Sequence, residues 1–363
     1  MHKRDCKLKN RVFPGRLCAY LNADSPSKQA CKRLPVKKLG FYLLALLFLA
    51  SACSGPQPAA ALDQVSVQLK WVHQAQFAGL YMAQEKGYYA DENLQVTFIE
   101  GGPGIDIIDQ VVSGQADFGI GAPEALFVRR SQGEPVLAIA VVFRQNPTVF
   151  VALADSGIRQ PADMLGRRVA VAGALDLDLQ LRAMMEKMGL DINQIELAPH
   201  TYDLTPLFNG EIDAIALYST GGLIRMRQDG YEPNLIWPID YGIHLYSDTI
   251  FTTDQMASGQ AGLSTRFLSA SLRGWRAAIE NPEQAVAVTL KFAQEADAEL
   301  QTEMMAAIVP LVHTGQDQIG WMQPQIWQEM HDLLNQFGLL AAPLSVGDIY
   351  TMQFLEEVYG DEK

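Results

Sequence analysis

Residues 69–89, LKWVHQAQFAGLYMAQEKGYY, combine side chains that could bind a flat, polar ligand. The stretch begins with the alternation of a β-strand and ends with helical spacing. Trp71 closes the strand pattern, and His73, Gln74 and Gln76 follow before the helix begins. An indole stacks on planar rings and donates one hydrogen bond, whereas amides both donate and accept. These residues could hold a ring and read its polar edge; a core tryptophan followed by a solvated loop is the alternative.

Two neighbouring features extend this candidate site. Phe77, Leu80 and Tyr81 share a helix face, a spacing more typical of a core than of a binding site, with Phe77 nearest to the site. The GGPG segment at residues 101–104 follows the next strand pattern, and the bare backbone around Gly102 could bind an anion or a carbonyl. A plain tight turn explains GGPG equally well.

Further candidates follow later strands. Glu124 lies near a helix start after ADFGIG, where a carboxylate could accept from a ligand amino group or simply cap the helix. Tyr218 and Thr220 follow the strand pattern IDAIALY. Asp240 and Tyr241 lie near a predicted chain crossing and suit a flat ligand that carries hydrogen-bond donors; hinge packing is the alternative there.

The elements that would position these residues alternate between strand and helix. One such unit covers residues 65–146, a second covers 147–247, and successive helix patterns fill the chain after Ser264. We therefore predict an α/β protein of two lobes, with residues 65–146 and 248–363 in lobe 1 and residues 147–247 in lobe 2. The ligand is expected between the lobes, at the carboxyl ends of strands.

Residues 1–53 differ from the rest and predict export. Lys37 and Lys38 precede an apolar run that is too short to span a bilayer, and small residues lead to Cys53. This pattern resembles a bacterial lipoprotein signal that makes Cys53 the lipidated first residue, although Ala50 replaces the usual leucine. Ordinary cleavage nearby is the alternative. Residues 54–64 are a predicted tether.

Charge and cysteine content exclude several classes. The first 52 residues hold 11 of the 28 basic but only 2 of the 41 acidic residues, so the remainder is strongly acidic and should repel nucleic acid and anionic lipid. Membrane contact is expected through a lipid anchor only. No cysteine follows Cys53, which rules out a disulfide within the exported part, and no HExxH or GxSxG motif is present. We expect no metal, no cofactor and a monomer.

Several motifs together resemble the SsuA/thiamine-pyrimidine-synthase-like superfamily: the stretch from residue 69, GGPG, VVSGQADFGIG, MLGRRVAV and DYGIHLYSDTIFTT. The resemblance runs from about Val65 to Thr253. It implies the type II periplasmic-binding fold and a solute-binding protein of an ABC importer, with a permease and an ATPase as partners. Such a protein would lie in the periplasm or on the outer face of the cell membrane.

The resemblance leaves the ligand open. Superfamily members recognise thiamine pyrimidine precursors, riboflavin or, more distantly, sulfonates and nitrate. The first is the preferred prediction and riboflavin the alternative, since Ser219 to Gly222 could leave room for a larger ring. An extracytoplasmic sensor domain is a further alternative.

An enzyme branch of the superfamily uses a lysine and a histidine after the corresponding strand, together with a cysteine-rich iron motif. The equivalent positions here are Gly121 and Ala125, and the cysteine motif is absent. The sequence therefore predicts a binding protein and not a pyrimidine synthase.

Overall fold

The computed structural model describes residues 61–360, so the predicted signal, Cys53 and most of the tether lie outside the described residues. The described chain contains two five-stranded sheets. Its strands, β1 to β10 in chain order, are Asp63–Gln68, Leu94–Ile99, Phe118–Gly121, Val136–Val141, Thr148–Ala152, Arg168–Ala172, Glu196–Pro199, Ala214–Tyr218, Asn234–Ile236 and Thr249–Thr253.

Helices connect most of these strands and make up the C-terminal part. Helices α1 to α13 are Ala78–Glu85, Tyr88–Asp91, Ile107–Val112, Pro123–Ser131, Leu175–Lys187, Thr205–Phe208, Gly222–Gln228, Asp254–Gly259, Ala261–Glu280, Pro282–Phe292, Ala298–Val312, Pro324–Gln336 and Gln353–Gly360. Short 3-10 helices cover Ala75–Phe77, Pro161–Met164, Ile192–Gln194, Pro238–Tyr241 and Val346–Asp348.

The two sheets share one design. The first has the strand order β2-β1-β3-β10-β4, and the second has the order β7-β6-β8-β5-β9. In the first, β1 is parallel to β2 and β3, and β10 is antiparallel to its neighbours. In the second, β6 is parallel to β7 and β8, and β5 runs antiparallel. The chain thus crosses between sheets twice, from β4 to β5 and from β9 to β10. We call each sheet with its packed helices a lobe.

Burial explains why the internal strands read as apolar runs. Every residue of β3 and β5 is buried, as expected where helices cover both faces of a sheet. The edge strand β2 instead begins with buried and exposed residues in alternation. A continuous apolar run therefore indicates an internal strand, whereas alternation indicates a strand at the edge of the sheet.

Small residues allow helices α1 and α9 to cross closely in the first lobe. A Cβ atom added to Gly79 would lie 2.1 Å from the ring of Trp275, and one added to Gly274 would lie 2.1 Å from the Gly79 carbonyl oxygen. Farther along, α12 packs against α4 of the first lobe and α5 of the second. The C-terminal helices thus contact both lobes.

Candidate ligand site between the lobes

Lys70 joins the two lobes through polar contacts. It follows β1 in the first lobe, and its Nζ donates to the hydroxyl of Tyr218, 2.8 Å away at the end of β8 in the second lobe. The same Nζ lies 3.3 Å from Oδ1 of Asp248, just before β10, and 3.7 Å from Oδ2 of Asp176 in α5. Burial lowers the pKa of Lys70, but Tyr218 and the two carboxylates outweigh burial and raise it well above its ordinary value.

The neighbours of Lys70 bond to one another as well. Tyr218 donates to Oδ2 of Asp176 at 2.9 Å and lies 3.0 Å from the hydroxyl of Ser247. Gln76 donates from Nε2 to Oδ2 of Asp248 at 2.6 Å, which satisfies the second oxygen of that buried carboxylate. We call Lys70, Gln76, Asp176, Tyr218 and Asp248 the interlobe cluster. Residues from both lobes therefore share one hydrogen-bond network.

Glu124 lies beside this network but outside its bonding. It is the second residue of α4, its side chain is 0% exposed, and neither carboxyl oxygen has a hydrogen-bond partner within residues 61–360. Burial is the main cause that raises the pKa of Glu124 to about 8; Asp176 contributes to the rise, and Lys70 opposes it. A buried carboxyl group without a partner is costly, so such a group beside the interlobe cluster is a candidate for binding a ligand.

Two aromatic rings meet next to the cluster. Trp71, which is half-buried, lies with its ring centroid 4.6 Å from that of Tyr202, at an angle of 52°. Tyr202 follows β7 in the second lobe and packs edge-on against His200, whose Nε2 bonds to the carbonyl oxygen of Ala216 at 2.9 Å. A planar ring that entered between Trp71 and Tyr202 could stack on both.

Gly101 places Trp71 at this position. Gly101 donates its backbone N–H to the carbonyl oxygen of Trp71 at 3.1 Å, and a Cβ atom added to Gly101 would lie 2.2 Å from the Leu69 carbonyl oxygen. The β1 strand ends at Gln68, three residues before the predicted end, because residues 69–71 run along this turn. The GGPG segment thus supports the tryptophan loop. Gly102 and Gly104, with φ of +149° and +81°, are the positions that require glycine conformationally.

The combined charge of the site is negative. Around Glu124 lie one ammonium group, from Lys70, and the carboxylates of Asp176 and Asp248. Even with Glu124 protonated, the carboxylates exceed the cation by one. Such a site disfavours anions.

Family comparison agrees with this architecture. The sequence model of the family described as NMT1/THI5 like matches residues 74–285, more than half of the chain. The chain belongs to the NMT1/THI5-like family. The resemblance seen in the sequence motifs is thereby confirmed.

Two relatives within or near this family carry informative names. The formylaminopyrimidine-binding protein of Halalkalibacterium halodurans is 28% identical over 308 residues, covering 81% of this chain and 93% of that protein. The riboflavin-binding protein RibY of Chloroflexus aurantiacus is 25% identical over 347 residues, covering 89% of this chain and 98% of that protein.

Solved structures confirm the predicted fold. The periplasmic aliphatic sulphonate binding protein SsuA from Escherichia coli matches with a TM-score of 0.64 at 14% identity, covering 79% of this chain and 91% of that chain. The NMT1/THI5-like chain therefore has the two-sheet fold of periplasmic binding proteins. Within residues 61–360, none of its helices combines the length and apolar character that a bilayer span needs.

The predicted residues that lie in or beside the cluster are Trp71, Gln76, Glu124 and Tyr218. Others have partners elsewhere. The Nδ1 atom of His73 lies 2.7 Å from the hydroxyl of Tyr81 in the first lobe, and burial lowers the pKa of this histidine. Phe77 is buried in the hydrophobic core, as its helix spacing suggested.

The second crossing differs from the prediction. Pro238–Tyr241 form a 3-10 helix that packs against α5, with Asp240 exposed and Tyr241 half-buried. The aromatic ring beside Trp71 is that of Tyr202. Thr220 is buried in the turn after β8. Tyr246 packs at the crossing as expected, accepting from the backbone N–H of Gln323 at 2.8 Å.

Sequence reasoning did not single out Lys70, Asp176, His200, Tyr202 or Asp248. Lys70 and Asp248 carried an available signal, because one directly precedes Trp71 and the other directly precedes a predicted strand. Asp176 and Tyr202 carried none, since the position of a second-lobe residue relative to the first lobe depends on the three-dimensional arrangement.

Proposed function

We propose that this chain is the extracytoplasmic solute-binding component of an ABC importer and that it binds an uncharged, planar N-heterocycle. A thiamine pyrimidine precursor is the preferred ligand and riboflavin the alternative. The observation that carries the proposal is the pairing of Trp71 and Tyr202 across the lobes, beside a buried carboxyl group that has no partner among residues 61–360.

The relatives support this ligand class. One is named for a formylaminopyrimidine and the other for riboflavin, and both names denote planar nitrogen heterocycles. Trp71 would stack on the ring from the first lobe and Tyr202 from the second. Because each lobe supplies one face, ligand binding would favour the closed arrangement of the lobes.

The charge of the site argues against the ligand in the SsuA protein's name. A sulphonate is an anion, and the only ammonium group in the described interlobe cluster, that of Lys70, is already paired with Asp248. An anion placed beside Glu124 and Asp176 would be repelled by at least one carboxylate. The shared fold therefore does not extend to a shared ligand in this proposal.

The chain would deliver its ligand unaltered. Gly121 ends β3 and Ala125 lies in α4, so the positions that carry a lysine and a histidine in the enzyme branch have no reactive side chain here. We accordingly propose no catalytic activity. Incubation with the bound heterocycle should return it without change in mass.

A lipid on Cys53 would hold the protein at the outer face of a membrane, as a monomer. Expression with a labelled fatty acid should label the wild-type protein, and Cys53→Ser should remove both the label and the membrane association. Wild-type protein that is exported without label would contradict the anchor.

The binding proposal is tested by mass spectrometry of any small molecule released from purified protein, followed by thermal-shift measurements. The probes are 4-amino-5-hydroxymethyl-2-methylpyrimidine, riboflavin and an alkanesulfonate. A true ligand at a hundredfold excess over its Kd adds about 2.7 kcal/mol of stability, which gives a clear shift. We expect a shift with a heterocycle and none with the sulfonate.

Trp71→Ala should weaken this binding about 10- to 100-fold, because base-like rings gain roughly 1–3 kcal/mol from stacking on an aromatic side chain. Trp321→Ala is the matched control, since Trp321 is also half-buried but packs against Tyr359. Unchanged affinity in Trp71→Ala would refute the stacking role, and a sulfonate-induced shift would refute the ligand class.

A further inference from the structure

The carboxyl group of Glu124 differs from the other buried carboxyl group at the site. Asp248 is 1% exposed, and each of its oxygens accepts a hydrogen bond, one from Lys70 and one from Gln76. Glu124 is 0% exposed, and its two oxygens have no partner among the described residues. Described residues thus bond to both oxygens of Asp248 and to neither oxygen of Glu124.

The charged groups around Glu124 explain why its carboxyl group has no hydrogen-bond partner among the described residues. Its charged neighbours are Asp176 in α5, Asp248 just before β10 and Lys70, which follows β1; the two aspartates raise the pKa of Glu124 and Lys70 lowers it. The ammonium of Lys70 already contacts Tyr218, Asp248 and Asp176. The neighbours of Glu124 are therefore two carboxylates and one ammonium group that is already paired with them.

A carboxyl group in these surroundings retains its proton. Ionisation would place a third negative charge in a buried site whose one ammonium group is already paired, so the undissociated form is favoured. The raised pKa of Glu124, about 8, agrees with this reasoning from geometry. At neutral pH most molecules would therefore carry Glu124 as the neutral acid.

An undissociated carboxyl group presents one donor, the O–H, beside one acceptor, the carbonyl oxygen. We propose that Glu124 recognises the ligand as an undissociated acid, through two hydrogen bonds to an uncharged ring edge that carries an acceptor next to a donor. This inference rests on the proposed function and defines the edge chemistry that the same site selects.

Both candidate heterocycles offer such an edge. A 4-aminopyrimidine has a ring nitrogen as acceptor beside its amino group, and the imide of riboflavin has a carbonyl oxygen beside its N–H. An aminopyrimidine protonated at that ring nitrogen presents two donors instead and would leave the O–H of Glu124 unpaired. The site would therefore select the uncharged form of either ring.

Calorimetric titrations between about pH 7 and about pH 9 test the proposal, with 4-amino-5-hydroxymethyl-2-methylpyrimidine and riboflavin as separate probes. Ionisation of Glu124 removes the donor, so the affinity of the wild-type protein should fall about tenfold over this range. The probe that binds identifies which of the two edges is used.

Two substitutions test whether Glu124 binds the ligand as the undissociated acid or as the carboxylate. Glu124→Gln keeps one donor and one acceptor, so we expect affinity within about threefold of wild type at pH 7 and no pH dependence. Glu124→Leu keeps the volume but removes both groups, and we expect at least about tenfold weaker binding because a polar edge is left unpaired. Infrared difference spectra should show a carboxylic-acid carbonyl band in the wild-type protein that Glu124→Gln lacks.

The outcomes distinguish this inference from the proposed function. If a heterocycle binds but its affinity does not change with pH, or if Glu124→Gln loses more than tenfold at pH 7, the inference is wrong and the binding function stands. If neither heterocycle binds wild-type protein at any pH, both are wrong.

Discussion

Two regions that contain polar and aromatic side chains both take residues from positions 70–81, but one lies between the lobes and the other lies within the first lobe. The interlobe cluster receives Lys70 and Gln76, whereas a second region, which we call the Tyr81 cluster, consists of His73, Tyr81, Phe98 and Phe292. In the Tyr81 cluster the rings of Tyr81 and Phe292 stack at 4.3 Å, and His73 bonds to the Tyr81 hydroxyl. Both of these contacts lie within the first lobe.

The difference between the two regions teaches what marks a ligand site. Histidine and tyrosine are as capable of binding ligands as lysine and glutamate, but the Nδ1 atom of His73 and the hydroxyl of Tyr81 bond to each other. Near the interlobe cluster, contacts join the two lobes, and Glu124 keeps two oxygens that no described residue pairs. Unsatisfied polar atoms at a lobe boundary, and not residue type, separate binding from packing.

The largest effect that would sharpen this comparison is expected from Lys70→Met. This substitution leaves Asp248, which is buried, without its cation, and removing one partner of a buried pair costs about 3 kcal/mol or more. Urea unfolding should show this loss. Lys291→Met is the control, because it breaks an exposed pair with Glu85 and should cost about 0.5 kcal/mol. Equal losses would mean that the interlobe cluster contributes no more than a surface ion pair.

A smaller effect concerns the pH dependence of stability without ligand. The folded pKa of Glu124, about 8, lies above that of an unfolded glutamate, so the folded state binds more protons in between. The contribution of Glu124 to the free energy of unfolding is therefore complete below the ordinary glutamate pKa, and it is lost as pH rises through about 8. Glu124→Gln should remove this decline, so its stability relative to that of wild type should rise with pH up to about 8.

Denaturant midpoints measured across this pH range check the prediction. Burial raises the pKa of Tyr81 further above its ordinary value. Tyr81 therefore does not titrate over this pH range and does not add to the change of stability with pH. Parallel pH profiles for wild type and Glu124→Gln would show that Glu124 titrates normally in the folded protein.

The smallest effect is expected in the Tyr81 cluster. Tyr81→Phe removes the hydrogen bond to His73 but keeps the stacked ring, so stability should fall by about 1 kcal/mol. Ligand affinity should stay unchanged, because this cluster is part of the first lobe's packing. An affinity loss comparable to that of Trp71→Ala would break the distinction between the two regions.

Much of the fold was accessible from sequence. The apolar runs, the glycine stops and the helix starts located nearly all strands and the C-terminal helices, because these patterns follow from local geometry. The helical spacing of Phe77, Leu80 and Tyr81 corresponds to α1, Ala78–Glu85, and to the 3-10 turn that precedes it. The early end of β1 was not predicted, since it depends on the close approach of Gly101 to Leu69.

The site was only partly accessible. Trp71 and Glu124 could be named because each follows a strand end, where α/β proteins place ligands. Tyr202 could not, because it reaches Trp71 only through the packing of the second lobe against the first. His73 was named for its chemistry, but its partner Tyr81, in the helix that follows, satisfies it locally.

The central claim is tested most directly by a crystal structure of the protein with its co-purified or added heterocycle. We predict the ring between Trp71 and Tyr202, which must separate from their present 4.6 Å to admit it, with the ring edge bonded to both oxygens of Glu124. A ligand bound elsewhere, with the two aromatic rings still in contact and Glu124 still unpaired, would contradict this claim.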